Sequence, residues 1–234
     1  MLALAGCATP GPLHLYSLAN AAAGTVADTA PANTADTPSF VREDETVTGF
    51  AYDPFTDHFF LRLSPGDAIR VVDRPARAIK REFTLAQLRA PGPGDLAIRP
   101  RDGHVFAAIP GAGVLAEFTR YGSFVRTITL ERVTGAVGGV AFDSVHNRIL
   151  LLADTTTGTI SVHSPDGRFV SAVSLARAVA PGCLAFDSEK RELYVPLAGS
   201  ASIGVFGEDG QHRRTLPLPA PFFDVGPRSF IRMF

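Results

Sequence analysis

The sequence predicts an all-β protein built from repeated four-stranded antiparallel sheets, and three observations support this. The chain has 234 residues, of which 22 are Gly and 18 are Pro, so residues that form turns are frequent. Val, Ile, Thr and Phe occur in short runs between those turns, which is typical of strands. One pattern also recurs four times at a nearly constant spacing. Together these features predict a repeat architecture of short strands.

Two independent positions mark the repeat. Alanines in the first apolar run of each unit are 46, 44 and 44 residues apart, and the closing leucines are 45, 45 and 43 residues apart. The alanines are Ala51, Ala97, Ala141 and Ala185, and the leucines are Leu85, Leu130, Leu175 and Leu218. The full repeats span 46–85, 92–130, 137–175 and 181–218. Four antiparallel strands per period of about 40–45 residues predict a β-propeller with one blade per repeat.

The third repeat illustrates the four strands of one blade. Two apolar strands, Val140–Phe142 and Ile149–Ala153, flank a polar turn. Strand three, Ile160–Ser164, alternates apolar and polar residues, and the turn Pro165–Gly167 leads into strand four, Arg168–Leu175. Since continuous apolar runs are typical of strands buried on both faces, we expect strands one and two to be the inner strands of each blade.

This repeat resembles the NHL and YncE-like group of propeller repeats. It reads GGVAFDSVHNRILLLADTTTGTISVHSPDGRFV, with an apolar-Ala-apolar-Asp run, a turn, a strand ending in Ala-Asp, and a strand before a Gly turn. The resemblance covers about residues 46–218 and implies a propeller fold. It implies no single function, because such repeats serve ligand binding, protein binding, RNA binding and hydrolysis. The first two repeats depart from the pattern, with Arg99 at the turn Asp and Leu63 and Ile109 at the position of Asp154.

The two ends of the chain predict how the ring closes. Residues 11–30 resemble strands three and four of a blade, and residues 222–234, split at Gly226-Pro227, resemble strands one and two. A composite blade made from both ends would avoid an exposed sheet edge. We therefore expect one propeller domain over residues 11–234, with four complete blades and one composite blade. The alternative is an incomplete six-bladed ring.

The first ten residues contain a short motif for lipid attachment. Leu4-Ala5-Gly6-Cys7 resembles the bacterial lipobox, in which small residues precede a Cys that is lipidated and becomes the mature N-terminus. The resemblance implies a signal-peptide remnant over residues 1–6 and a lipidated Cys7 with a short tether over residues 7–10. Because Ala8 rather than Asp follows, it also implies an outer-membrane lipoprotein that faces the periplasm.

The lipobox has an alternative. Only six residues precede Cys7 and none is basic, whereas a signal peptide has a basic start and an apolar stretch of about 7–15 residues. Either the true start lies upstream or the match is coincidental. Without lipidation of Cys7, we expect a secreted or periplasmic protein.

Carboxylates and histidines recur at the first turn of the blades. They are Asp53, Asp143 and Asp187, and His58, His104 and His146. One carboxylate per blade places them about a blade apart, and Asp favours turns because it bonds its own backbone. We therefore expect turn residues rather than an acid–base or metal-binding set. The chain also has no HExxH, CxxC or GxSxG motif, so no catalytic residue is assigned.

Candidate ligand-binding residues fall at the mouth of the central channel. The relevant loops are those that enter strand one and leave strand two, and they contain Arg62, Asp95 and Asp154. A cation and two carboxylates around one mouth predict a site for a polar ligand or a divalent metal. Alternatively, they are rim charges that keep this face soluble. No other cofactor is expected.

The net charge and the length of the apolar runs argue against two classes of function. A net charge of −1 does not provide the basic field that nucleic acid binding requires, and no apolar run is long enough to span a membrane. Because the repeat is regular, a lipobox is present and no catalytic set is found, we expect a non-enzymatic, lipid-anchored scaffold of the bacterial envelope. It would contact the membrane only through its N-terminal lipid and bind an envelope protein or a small ligand. One alternative is a metal-dependent periplasmic hydrolase of lactonase or esterase type, with its metal near Asp95 and Asp154. Another is a degenerate or truncated gene product.

Overall fold

The computed structural model describes residues 15–18, 26–28, 35–36, 40–42, 44–66, 68–89, 94–153, 158–200, 202–217 and 230–233. For the first three of these segments and the last one, only the backbone is described. Within these residues the strands form five four-stranded antiparallel sheets, and one short 3-10 turn lies at Ala86–Leu88. The same part of the chain has no helix with the length and apolar character needed to cross a membrane. The five antiparallel sheets confirm the predicted all-β class.

The strands are numbered in chain order. Blade 1 contains β4 (Thr46–Asp53), β5 (His58–Ser64), β6 (Ala68–Asp73) and β7 (Ala78–Thr84). Blade 2 contains β8 (Leu96–Arg99), β9 (His104–Ala108), β10 (Val114–Thr119) and β11 (Phe124–Thr129). Blade 3 contains β12 (Val137–Asp143), β13 (Arg148–Ala153), β14 (Thr159–His163) and β15 (Phe169–Ser174). Blade 4 contains β16 (Ala185–Asp187), β17 (Glu192–Pro196), β18 (Ser202–Gly207) and β19 (His212–Pro217). The composite blade contains β1 (Leu15–Leu18), β2 (Val26–Asp28), β3 (Ala35–Asp36) and β20 (Phe230–Met233).

The five sheets are arranged around one axis. The first strand of each complete blade contacts the first strand of the next one, in the order β4, β8, β12 and β16. Strand β20 contacts both β16 and β4, and therefore closes the ring. The prediction of a propeller with four complete blades and one composite blade is confirmed for the described residues.

The two ends of the chain contribute different numbers of strands to the composite blade from those predicted. Among the described residues its strand order is β20-β1-β2-β3, so the C-terminal segment supplies one strand and the N-terminal segment supplies three. The predicted division into two strands from each end was wrong. Leu15–Leu18 pairs with β20 on one side and with β2 on the other, and is therefore the second strand rather than the third. A four-residue alternating strand does not reveal its neighbours.

The core of the protein lies between adjacent blades. One cluster of buried side chains joins blades 1 and 2, a second joins blades 2 and 3, and a third joins blades 3 and 4. A fourth cluster contains side chains of blades 1 and 4, the two complete blades that flank the composite blade. The inner strands approach each other closely at the axis, as the small residues there predict. A Cβ atom on Gly49 would lie 2.3 Å from the carbonyl oxygen of Gly94, and one on Gly139 would lie 2.7 Å from the main chain of Cys183. Only glycine fits at these contacts.

The meander in each blade gives the ring two different faces. In the four complete blades, the turns that join strands one to two and strands three to four lie at the same end of the sheet, and we call this end the hairpin face. Loops that join strands two to three, and one blade to the next, lie at the opposite end, the loop face. Arg62 and Asp95 are placed towards the loop face, at the end of β5 and just before β8.

Candidate functional site

Asp95 lies at the axis of the ring and is fully buried. Its Oδ1 accepts a hydrogen bond of 2.9 Å from the main-chain NH of Leu96, and its Oδ2 accepts one of 2.8 Å from the NH of Val140. The NH of Leu184 lies 3.4 Å from the same Oδ2. These three donors belong to, or directly precede, the first strands of blades 2, 3 and 4. Asp95 therefore ties three blades together at the axis.

Arg62 is also fully buried, between blades 1 and 2. Its Nη2 donates to the carbonyl oxygen of Leu88 at 2.8 Å, and its Nη1 donates to that of Ala108 at 2.7 Å. A third carbonyl, that of Gly94, lies 3.5 Å from Nη1. The guanidinium thus satisfies main-chain acceptors where the chain crosses from one blade to the next.

The structure brings two of the three predicted ligand residues close together. Arg62 approaches Gly94, the residue immediately before Asp95, and both charged side chains are bonded to the main chain. Asp154 lies outside the described residues, as do Cys7 and Gly226-Pro227. Among the residues that are described, no group of three or more His, Cys, Asp or Glu side chains is arranged to hold a metal ion. Ligand binding at Arg62, Asp95 and Asp154 therefore stays a prediction.

The recurring aspartates act as turn residues, as expected. Asp53 accepts a hydrogen bond from the main-chain NH of Phe55 at 3.1 Å. Asp143 accepts from the NH of Val145 at 3.0 Å. Asp187 accepts hydrogen bonds from the main-chain NH groups of Glu189 at 3.0 Å and Lys190 at 2.9 Å. Each carboxylate stabilises the turn between the first two strands of its own blade.

Asp143 also links two blades. Its Oδ2 accepts a hydrogen bond of 2.8 Å from Nη1 of Arg191 in blade 4 and lies 3.0 Å from Nδ1 of His146. Burial acts to raise the pKa of Asp143, but hydrogen bonds from the His146 main chain and from Arg191 outweigh it and leave that pKa below its usual value. The carboxylate is therefore charged near neutral pH and acts as an ion-pair partner rather than a proton donor.

The hairpin face carries the most exposed apolar side chains of the described residues. Phe55 is 78% exposed, Tyr121 is 70% exposed and Val145 is 61% exposed. All three lie in turns of this face, in blades 1, 2 and 3 respectively. Single exposed apolar residues are common on protein surfaces, but large aromatic rings gathered on one face are typical of interaction sites.

Phe55 and Tyr121 are joined by two arginines, and we call Phe55, Arg81, Arg120 and Tyr121 the aromatic–arginine patch. The guanidinium carbon of Arg120 lies 4.9 Å from the centre of the Phe55 ring, and that of Arg81 lies 5.1 Å from the centre of the Tyr121 ring. Arg81 also donates a hydrogen bond to the carbonyl oxygen of Arg120. The patch therefore spans the junction of blades 1 and 2.

The fold holds the centre of this patch in place. Arg120 is only 7% exposed, and its Nε lies 3.4 Å from Oδ2 of the buried Asp53. Its guanidinium packs on Gly103, where a Cβ atom would lie 1.9 Å from Nε. Gly103 has a φ of +70°, a backbone conformation that glycine adopts without strain. A glycine in the first turn of blade 2 thus makes room for the arginine that supports Phe55.

The aromatic–arginine patch has only a partial signal in the sequence. Phe55 follows Pro54 and Tyr121 precedes Gly122, so both aromatic residues stand inside turns rather than in the alternating strands. A large aromatic residue within a polar turn is a detectable sign of exposure. The pairing with Arg81 and Arg120 was not detectable, because these residues meet only when blades 1 and 2 are side by side.

Comparisons with known proteins identify the fold but no family. No family profile and no curated protein sequence matches this chain. Among solved structures, a chain of a nidogen/laminin complex is similar with a TM-score of 0.65 and 13% identity, over 94% of this chain and 98% of that one. The glutaminyl cyclase of Myxococcus xanthus is similar with a TM-score of 0.58 and 15% identity, over 74% of this chain and 70% of the cyclase.

A third similar structure is the virginiamycin B lyase of Staphylococcus aureus, with a TM-score of 0.54 and 11% identity. The match covers 86% of this chain but only 65% of the lyase. These proteins include two named as enzymes and one crystallised as a protein–protein complex, at identities that carry no information about activity. The similarity shows that this chain has the β-propeller fold, and nothing narrower.

Proposed function

We propose that this protein is a lipid-anchored binding scaffold of the bacterial envelope, and that it binds an acidic segment of another envelope protein through the aromatic–arginine patch. One observation carries the proposal. Two large aromatic rings are exposed on one face, and each is stacked on an arginine that belongs to the same cluster. Aromatic residues and arginine are the residue types enriched at the centres of protein interfaces.

The supporting residues of the patch are already ordered. Arg120 is held by Asp53 beneath the Phe55 ring, and Arg81 is bonded to the main chain of Arg120. Ordering a long side chain on binding costs about 0.5–1.5 kcal/mol. Because the fold has already fixed these arginines, a partner that contacts the patch avoids most of that cost.

The charges around the patch favour an acidic partner. Arg81 and Arg120 share one nearby carboxylate, that of the buried Asp53. Arg101, in the first turn of blade 2 on the same face, is exposed. A surplus of positive charge next to exposed aromatic rings is complementary to a segment that combines Asp or Glu with apolar side chains.

The loop face supports the hydrolase alternative less well. A carboxylate that binds a metal ion must be accessible to that ion. The side chain of Asp95 is instead fully buried, and both of its oxygens accept main-chain hydrogen bonds. A stoichiometric divalent ion in the purified protein, measured by elemental analysis, would favour the hydrolase over the scaffold.

The binding proposal is tested with a displayed library of random 12-residue peptides. The library is panned against the immobilised wild-type protein, and the enriched peptides are measured against wild type, the Phe55→Ala/Tyr121→Ala variant and the Val170→Ala variant. Val170 is a matched control because it is 44% exposed on the outer strand of blade 3.

We expect enriched peptides rich in Asp or Glu, with at least tenfold weaker binding to the double variant and unchanged binding to Val170→Ala. The proposal is contradicted if no sequence is enriched, or if the enriched peptides bind the double variant as well as they bind wild type.

The anchor at Cys7 is a separate part of the proposal and has its own test. In cells that express the gene from its native start, Cys7→Ala should move the protein from the membrane fraction to the soluble fraction, whereas Thr9→Ala should not. Unchanged fractionation of Cys7→Ala would exclude the anchor and leave the binding surface unaffected.

A further inference from the structure

A cleft of about 110 Å³ separates blade 3 from blade 4 and opens near the hairpin face. Its walls are mainly apolar and are formed, together with Ser171, by Leu150, Ile160, Val162, Val173, Phe186 and Leu193. Four charged side chains surround the opening, namely Asp143, Arg148, Arg191 and Glu208. The cleft lies on the opposite side of blade 3 from its junction with blade 2, and it shares no residue with the aromatic–arginine patch.

Three side chains of blade 3 are smaller than their counterparts in the other complete blades, and this difference leaves the cleft open. The strand registers align Leu150 with an aromatic residue in every other complete blade, namely Phe60, Phe106 and Tyr194. They align Ser171 with an arginine in each of those blades, namely Arg81, Arg126 and Arg214. They align Val173 with larger apolar residues, namely Phe83, Ile128 and Leu216.

The consequence of these smaller residues is visible when the junctions are compared. At the junction of blades 2 and 3, Phe106 stacks on Phe142 with ring centres 5.7 Å apart and nearly parallel planes. At the next junction, the residue equivalent to Phe142 is Phe186, and it faces Leu150 instead of an aromatic ring. At this junction, blade 3 thus leaves open the space that Phe106 of blade 2 fills at the preceding junction.

One cation at the opening is available for a ligand. Arg191 is paired with both Asp143 and Glu208, so these three charges largely satisfy one another. The side chain of Arg148, which lines the same cleft, has no hydrogen bond or ion pair with any residue in the described ranges. An apolar cleft with one unpaired guanidinium at its opening matches a small molecule that has an apolar group and an anionic end.

From this geometry we propose that the cleft between blades 3 and 4 is a binding site for a small carboxylate that carries one compact apolar group. An apolar cavity of about 150 Å³ holds a benzene ring, so the group that enters this cleft is of that size or slightly smaller. The apolar group packs between Leu150 and Leu193, and the carboxylate pairs with Arg148. This site is separate from the proposed protein-binding surface and does not depend on it.

The test uses phenylacetate as the anionic probe and phenylacetamide as its neutral counterpart. The full protein is labelled at its methyl groups, and the shifts of the Leu150, Val173 and Leu193 methyl resonances are followed by NMR during titration. A ligand of this size should bind with a Kd of about 1 mM or tighter. Phenylacetamide should bind at least tenfold more weakly.

Two kinds of variant separate the cleft from general effects on folding. Val173→Phe copies Phe83 of blade 1 and fills the cleft, so we expect phenylacetate binding to be lost while the Tm is unchanged or higher. Ser171→Arg restores the arginine of the other blades and should also abolish binding. Arg148→Gln should weaken phenylacetate binding about tenfold and leave phenylacetamide binding unchanged.

The Phe55→Ala/Tyr121→Ala variant should bind phenylacetate like wild type, so failure of the protein-binding proposal and failure of this one are distinguishable. The inference is overturned if the three methyl resonances do not shift at about 20 mM phenylacetate. It is also overturned if a correctly folded Val173→Phe variant binds the probe as tightly as wild type.

Discussion

The main-chain NH of Val140 donates a 2.8 Å hydrogen bond to Oδ2 of Asp95, which joins the inner strand of blade 3 to the start of blade 2. The carboxylate is completely buried and also accepts a hydrogen bond from Leu96. A propeller has no single central core, and in this protein the apolar clusters lie between pairs of blades. A buried anion that bonds several blades at the axis therefore supplies a connection that the apolar contacts do not.

Replacing this anion should destabilise the ring. We expect Asp95→Asn to lower the free energy of unfolding by about 2–4 kcal/mol, because the amide places hydrogens opposite buried NH donors and removes charge-assisted bonds. Urea denaturation followed by circular dichroism measures the change. Asp44→Asn is the control, since Asp44 is exposed, and it should stay within about 0.5 kcal/mol of wild type. Equal loss in both variants would contradict a special role for Asp95.

A second prediction concerns the buried guanidinium of Arg62. A Cβ atom on Gly94 would lie 1.6 Å from Nη1 of Arg62, so Gly94→Ala must displace a fully buried cation from its carbonyl acceptors. We expect a loss of about 2–3 kcal/mol of unfolding free energy. Gly135→Ala is the control, because a Cβ atom there meets nothing within 4 Å. If both alanine variants unfold at the wild-type urea midpoint, Arg62 is not fixed as described.

The ion pair in blade 4 predicts a specific pH dependence. Glu192 accepts hydrogen bonds of 2.7 and 2.8 Å from Arg214, which lower its pKa from 4.5 to about 2, although burial acts in the opposite direction. A pKa that is lower in the folded state contributes stability above the unfolded value, and this contribution is lost as the pH falls. The contribution of Glu192 should therefore be complete above about pH 4.5 and decline towards pH 2.

The measurement compares urea midpoints of wild type and Glu192→Gln between pH 2 and pH 7. The difference between the two proteins should be constant above pH 4.5 and shrink below it. Glu189→Gln, at an exposed carboxylate of the same blade, should follow the wild-type curve throughout. A pH-independent difference for Glu192→Gln would show that the carboxylate is not held as a charged group.

Much of the fold was predictable because the repeat imposes it. In blade 3, the predicted strands Ile149–Ala153 and Ile160–Ser164 differ from the observed ones by a single residue at the ends. The composite blade was harder to predict, since its strands are as short as Ala35–Asp36 and are paired between opposite ends of the chain. Short strands carry too few residues to show which face or neighbour they have.

The candidate sites were less predictable, for physical reasons that differ between them. Arg62 and Asp95 lie towards the loop-face end, but both side chains are fully buried rather than exposed at a channel mouth or rim. Their hydrogen bonds are to main-chain atoms, which almost any sequence supplies, so the sequence gives no signal for them. The small residues that open the cleft, such as Ser171, are detectable only when the outer strands of all blades are aligned. The stacking of Phe55 on Arg120 depends on contacts between blades and has no local signal.

We propose that this propeller binds its partner on the hairpin face, at the junction of blades 1 and 2. Hydrogen–deuterium exchange with and without a peptide selected from the random library tests this most directly. We expect the peptide to protect the turns at 54–57 and 120–123, and to leave the loop-face segments 109–113 and 176–182 unchanged. Protection confined to those loop-face segments, with the two turns exchanging as in the free protein, would contradict the claim.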